Sequence, residues 1–361
     1  MSSINLNNFV NINIVEKKLT SVDSTRDVTI LFSQTLDSGI TANETYSSLE
    51  EMYPNSIVEY NETGYSTKSS LYKYAYMYFR NGGAKLKVKQ GTGTSNAVQK
   101  ADIDALDRDE IVVASVENDL AVIASTLTYE GGYQKILLNR ISSNDTSSVD
   151  NLATKLSSIT GAEMSIAAYL SKINVYKVDS INDYAYTKEF EALENTTATN
   201  TDVQNAIANH YNVDIQLANS VRNIGGDMKN GLDLVNHYVL IILHQTLQDR
   251  LVDLLSQKIK GTSGISAIYS TATSELNKYV TSGYLTNDKI WTNPTLKVEK
   301  EGVSYTIIEQ NTPIINGYYI KILPLSSLSA EDKAAHKAPY IYIILSTSYG
   351  IRLIEIEGEV I

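Results

Sequence analysis

The stretch from Asp27 to Ile141 switches repeatedly between two periods, and that limits the folds open to this chain more than any other feature. "DVTILFSQ" (27–34), "AKLKVKQG" (84–91), "EIVVASV" (110–116) and "QKILLNRI" (134–141) read as strands. The first is almost continuously apolar, as expected where both faces of a sheet are covered. "SSLEEMY", "SSLYKYAYMYFRNGG" and "NDLAVIASTLTYE" carry helical spacing instead. The tyrosine-rich helix has Ser69 or Ser70 as its N-cap and stops at Gly82–Gly83. "NLATKLSSIT" and "MSIAAYLSKINVYK" continue the alternation. Strands spaced by helices predict an α/β domain with a mostly parallel sheet over 21–215.

A second unit, α+β in character, is expected over 216–350. From Leu232 to about Lys258 apolar residues recur at three- and four-residue spacing, which predicts one helix of about 40 Å. "SAIYSTATSELNKYVTSG" reads as another, stopped by Gly283. "TLKVEKEGVSYTII", "GYYIKILPL" and "PYIYIILSTS" read as strands, with a short helix, "SAEDKAAHKA", just before Pro339. No internal repeat and no low-complexity linker interrupts the chain.

The two ends mirror each other. In the N-terminal segment 1–20, Val10, Ile12 and Ile14 alternate with other residues before Lys17 and Lys18. In the C-terminal segment 351–361, Ile354 and Ile356 point one way and Glu355, Glu357 and Glu359 the other, with Val360 following. Period-two alternation predicts strands with one face meant for burial. Such a strand needs an edge, either in its own domain or in another chain.

Composition removes several function classes. Acidic residues outnumber basic ones 41 to 30, for a net charge of −11, which argues against a nucleic-acid partner or an anionic membrane. Cysteine is absent, so disulfides, thiolate nucleophiles, Cys-ligated zinc and iron–sulfur clusters are excluded. No basic start precedes an apolar block, and the longest apolar run, "YVLIIL" (238–243), is too short for a bilayer. A protein synthesised in the cytosol is expected. The four Asn-x-Thr sequons at Asn43, Asn61, Asn144 and Asn195 then reflect an Asn- and Thr-rich composition.

Chemistry-bearing patterns are sparse. "GTGTS" (91–95) lacks the Gly-Lys-Ser/Thr of a P-loop and the third glycine of a dinucleotide fingerprint, and reads as a solvated turn. "NIGGDMKNG" (223–231) reads as a flexible entry to the long helix. His237 and His244 stand two helical turns apart, too far for one metal without a ligand between them. Asp233 and His237 read as a solvated i,i+4 pair. No serine lies in a G-x-S-x-G elbow. No catalytic residue, metal or cofactor is expected. Tyrosine is over-represented, 25 against 4 Phe and 1 Trp, and Tyr72, Tyr74, Tyr76 and Tyr78 stand two apart on one helix. Some of them should therefore leave its core face.

The order of these pieces resembles the family of contractile phage tail sheath proteins. "YMYFRNGGAKLKVKQ" (76–90), with Phe79, Asn81, Gly82 and Gly83 turning a helix into a strand, is similar to a motif of that family. The stretches 243–285 and 328–360 resemble its paired helices and its closing segment. The likeness is weakest over 92–230, and Lys333, His336 and Lys337 stand where the family often carries arginines. It implies a structural subunit that polymerises into stacked rings around a tail tube and contracts to drive the tube through a bacterial envelope. It implies arms that add Val10, Ile12, Ile14, Ile354, Ile356 and Val360 to sheets of neighbouring subunits. Lys17 and Lys18 would face Glu355, Glu357 or Glu359 of other chains, and Lys333 and Lys337 the tube. The implied partners are further copies, the tail tube protein, and baseplate and tail terminator proteins, with no nucleic acid and no membrane insertion. The implied place is the virion tail, assembled in the host cytoplasm. A cytosolic α/β enzyme or small-molecule binder, or a non-contractile self-assembling protein, is the alternative.

Overall fold

A computed structural model describes residues 12–13, 28–93, 98–117, 119–120, 135–142, 152–175, 177–178, 183–190, 193, 199–217, 219–255, 261–287, 289–335 and 337–347. The helix expected over 118–130 lies almost wholly outside these residues.

The strands are β1 (Ile12–Asn13), β2 (Val28–Ser33), β3 (Thr45–Tyr46), β4 (Lys85–Gln90), β5 (Val112–Ser115), β6 (Ile136–Ile141), β7 (Leu152–Leu156), β8 (Asn212–Leu217) and β9 (Ser220–Ile224). They continue with β10 (Leu296–Lys300), β11 (Val303–Ile308), β12 (Tyr318–Ile322) and β13 (Ile341–Leu345). The α-helices are α1 (Leu49–Met52), α2 (Ser70–Arg80), α3 (Lys100–Asp104), α4 (Met164–Leu170), α5 (Asn200–Ala208), α6 (Leu234–Leu255), α7 (Gly261–Thr281) and α8 (Ala330–Ala334).

The large sheet has eight strands in the order β3-β4-β2-β5-β6-β7-β8-β9. Its centre is parallel, and the outermost pairs, β3 with β4 and β8 with β9, are antiparallel. Sheet pleating sends Ile30 and Phe32 of β2 to one buried cluster, with Val113 and Leu137, and Leu31 to another, with Val112 and Ile136. That double burial is why the run at 28–33 is apolar without alternation. Position 215 falls inside β8, which turns back into β9, so the sheet continues to Ile224. The hairpin is not obvious in the sequence because "SVRNI" carries an arginine and an asparagine.

Helix α6 buries residues around most of its circumference, among them Val235, Tyr238, Ile242, Leu243, Leu247 and Leu251. It therefore packs against several partners at once. One cluster runs from Leu31 in the large sheet through α2, α4, α6 and α7 to Ile343 in β13. The C-terminal elements thus share a core with the α/β sheet. Beside them, β10 and β11 form a hairpin, and β1, β13 and β12 form a small three-stranded sheet with β13 in the middle.

Candidate functional site

The helix-to-strand turn that carries the family likeness is built as follows. Ser69 Oγ accepts the Tyr72 N–H at 3.0 Å and starts α2. At the other end Gly82, at φ +78, donates to Phe79 O and Gly83 donates to Tyr78 O, a Schellman arrangement with Asn81 as C-cap. Asn81 then ties three segments together. Its Nδ2 donates to Met77 O at 2.8 Å, its Oδ1 accepts Phe190 N–H at 3.0 Å, and its carbonyl accepts Lys172 Nζ. Phe79 is half-buried against Tyr78, with ring centroids 5.2 Å apart. A Cβ on Gly83 would lie 2.4 Å from the Tyr78 ring, so the close approach requires glycine there.

The tyrosines correct one expectation. None leaves the core: Tyr72, Tyr74, Tyr76 and Tyr78 are all at most 1% exposed. Segment 57–65 and the α4 region close over the sides of α2 that would otherwise be wet. Tyrosine suits such a helix because its hydroxyl reaches backbone at the edge of the core. Tyr72 Oη bonds Val58, Tyr76 Oη accepts Tyr60 N–H at 3.0 Å and donates to Glu59 at 2.8 Å, and Tyr78 Oη donates to Lys85 O at 2.8 Å.

The small sheet holds the described part of the N-terminal segment. β12 pairs antiparallel with β13 over five residues. Ile12 and Asn13 pair parallel with Ile341 and Tyr342 on β13's other edge, within the same chain. β13 is apolar throughout because Ile341 and Ile343 enter the main core while Tyr342 and Ile344 enter a second cluster with Ile307, Ile308, Ile314 and Leu323. Among the described strands, the outer edge of β12 has no partner, and β1 covers only the first two residues of β13. Val10, Ile14, Lys17, Lys18, Ile354, Glu355, Ile356, Glu357, Glu359 and Val360 lie outside the described residues.

Helix α8 has no buried residue. Lys333 is exposed on it, and Lys337, just beyond, is held 2.6 Å from Asp332 Oδ1, a contact that raises the Lys337 pKa and lowers that of Asp332. The two lysines are therefore unequal: one is neutralised by its own chain. His336 is outside the described residues.

The loops weighed as ligand sites are used internally. Thr92 Oγ1 donates to Asp102 Oδ1 at 2.9 Å, which folds that turn onto α3. The glycine-rich 223–231 is pinned, contrary to the flexible entry expected. Gly226 N–H reaches Asn212 Oδ1 at 2.7 Å, Lys229 N–H reaches Leu152 O at 2.9 Å, and a Cβ at Gly225 would meet Tyr211 O at 2.8 Å. His237 is buried rather than solvated; burial drops its pKa, and that of His244, to about 4. Among the described residues no cluster of His, Cys, Asp or Glu could hold a metal, and no helix is long and apolar enough to cross a membrane.

A polar cluster that the sequence reading missed lies under α4. Lys155 of β7, Asp214 of β8, Asn223 of β9, Ser165 of α4 and Tyr184 are buried together, with Glu189 beside them. Burial pushes the carboxyl of Glu189 up to about 7 and also raises that of Asp214. The one signal in the sequence is a lysine inside the strand "LATKL". With Lys155 and Tyr184 fully enclosed, no substrate reaches them in this conformation.

No family model and no curated protein matches the sequence. Solved structures do match the fold. The chain is similar to one from the anti-feeding prophage (AFP) baseplate, six-fold symmetrised, with a TM-score of 0.60, 14% identity and 99% of each chain covered. It is similar to a chain of the AFP helical sheath in the contracted state, with a TM-score of 0.60, 13% identity and 99% of each chain covered. It is also similar to a chain of the AFP baseplate in the contracted state, with a TM-score of 0.56, 13% identity and the same coverage. The chain has a contractile tail sheath-like fold. Its structural neighbours are particle subunits rather than enzymes.

Proposed function

We propose that this chain is the sheath subunit of a contractile tail or tail-like particle. The observation that carries the reading is a fold shared along 99% of both chains with a subunit of a contracted helical sheath. In this account subunits polymerise around a tail tube in an extended, metastable state, attach at a baseplate and end at a tail terminator. On triggering they rotate and slide as near-rigid bodies, and the shortening lattice drives the tube through a bacterial envelope. In a phage that motion leads to genome ejection. No nucleotide is consumed, because the assembled lattice has two states of different energy.

The arms keep the lattice joined. Ile12 already occupies the edge of β13 in its own chain, which supports that edge as one able to receive a strand. In the polymer, segments 1–20 and 351–361 exchange onto such edges in neighbouring subunits. A unit of this size has a radius of gyration of roughly 21 Å, while about 15 extended residues reach about 50 Å. Each added backbone hydrogen bond contributes about 0.5–1.5 kcal/mol net, and repetition around a ring makes modest links durable. Charge pairs between Lys17 or Lys18 and Glu355, Glu357 or Glu359 add little when exposed. Lys333 is the better tube-facing cation, since Lys337 is already paired with Asp332. The test is sedimentation of the full-length chain beside one ending at Arg352. The shortened chain stays folded and monomeric under conditions where the full chain polymerises; polymers of the shortened chain would sink the arm model.

A further inference from the structure

The chemistry left unused by this account is concentrated at Lys155. Its Nζ, fully buried, lies 2.6 Å from Asp214 Oδ1, 3.0 Å from Tyr184 Oη and 3.2 Å from Asn223 Oδ1. Ser165 Oγ is 3.0 Å from the same Tyr184 hydroxyl. The other charged groups acting on the site are Glu189, with Lys172 near it, and Glu163 with Arg140, whose Nε lies 3.7 Å from Glu163 Oε2. Satisfaction is incomplete: Asp214 Oδ2 and Asn223 Nδ2 are buried without a hydrogen-bond partner. An enclosed ion pair with an orphaned oxygen is a costly arrangement. Burial raises the pKa of both Asp214 and Glu189, which favours a protonated carboxyl group beside the Lys155 side chain. An amine held against a carboxyl group by two hydrogen-bonded strands has the proximity of an intramolecular reaction.

We propose that Lys155 and Asp214 condense into an intramolecular isopeptide bond, with Tyr184 and Glu189 relaying the proton. A proton first crosses the 2.6 Å contact from Nζ to the carboxylate. The amine attacks Cγ of Asp214 and an N–C bond forms. One nitrogen proton passes through the Tyr184 hydroxyl, with Glu189 beside it as proton store, to the departing hydroxyl. The C–O bond breaks and water leaves. Ammonium and carboxylate have become amide and water, with no further reactant. The reaction expels Oδ1 as water and replaces the enclosed ion pair with a neutral amide. It joins parallel strands whose linked residues are 59 positions apart, in a chain with no cysteine to provide a disulfide. A covalent tie at that place resists shear between β7 and β8.

The intact mass of the denatured full-length protein tests this without any variant. The expected mass is lighter than the sequence by one water, with a proteolytic fragment joining the peptides of Lys155 and Asp214. D214A restores the sequence mass, and E189Q lowers the linked fraction while leaving the circular dichroism spectrum unchanged. An unchanged wild-type mass overturns the proposal. A loss of one ammonia, with Asn223 in the joined fragment, overturns the assignment to Asp214. A loss of water mapped to any other residue overturns it as well.

Discussion

The Tyr72 side chain bonds both backbone groups of Val58: its hydroxyl accepts the Val58 N–H at 2.9 Å and donates to the Val58 carbonyl at 3.0 Å. One phenol thus does for a loop what a neighbouring strand does in a sheet, and it fixes segment 57–60 over α2.

Tyr72→Phe should therefore cost more than one hydrogen bond. Both groups of Val58 lose a partner at the core boundary, and about 1–3 kcal/mol of stability is expected to go. The denaturant midpoint reads it, with Tyr186→Phe, whose side chain is exposed, as the control.

Gly83→Ala should destabilise by overpacking. The added methyl would sit 2.4 Å from the Tyr78 ring, which has no exposed surface to swing toward. A loss of about 1–3 kcal/mol is expected, read as a lower thermal midpoint. Gly283→Ala separates the two ways a glycine can matter: φ is +81 there but nothing lies within 4 Å, so only the backbone term remains.

Arg108 joins the α3–β5 connection to α6. Its Nη1 donates to Asp249 Oδ1 at 2.6 Å, and its Nη2 to Gln245 O and Gln248 Oε1, each at 3.1 Å. Asp249 is half exposed, so Asp249→Ala should cost less than about 1 kcal/mol. Arg108→Ala should cost more, because the buried Gln248 also loses this donor. Equal losses in urea melts would show that the exposed ion pair carries the whole contact.

Acid should weaken the fold through two histidines. His237 and His244 have pKa values of about 4 when folded, against 6.5 for the free side chain, because burial penalises the charged ring. The depressed value means their contribution is complete above 6.5 and is lost as pH falls toward 4. Glu189 acts with the opposite sign. Its folded pKa of about 7 exceeds the 4.5 of a free glutamate side chain, so its contribution is complete below 4.5 and is lost as pH rises through 7. Stability measured from pH 4 to 8 should therefore peak in the near-neutral range. His237→Gln should flatten the acid limb, and Glu189→Gln the alkaline one.

How much of this was legible in the sequence depends on how many neighbours decide a residue's fate. The parallel strands were legible at 28–33, where covered faces write an apolar run, and α2 was legible from Ser69 to Gly83 because caps are local chemistry. The burial of both Tyr72 and Tyr74 was not, since helical spacing sends residues two apart to different sides and only tertiary cover from 57–65 and α4 encloses both. Lys155 was invisible for the same reason. Its partners Tyr184, Asp214 and Asn223 are 29, 59 and 68 positions away, and nothing in a local window announces them. The two-residue pairing of β3 and the β8–β9 hairpin were hidden by polar edge residues. The small sheet's strands were readable as strands, but their order, with β13 between β1 and β12, was not.

The most direct test of the sheath account is negative-stain electron microscopy of the full-length chain and of the chain ending at Arg352, prepared at the same high concentration. The account predicts hollow, striated tubes from the full-length protein and compact monomers from the shortened one. Identical particles from both, whether tubes or monomers, would contradict it.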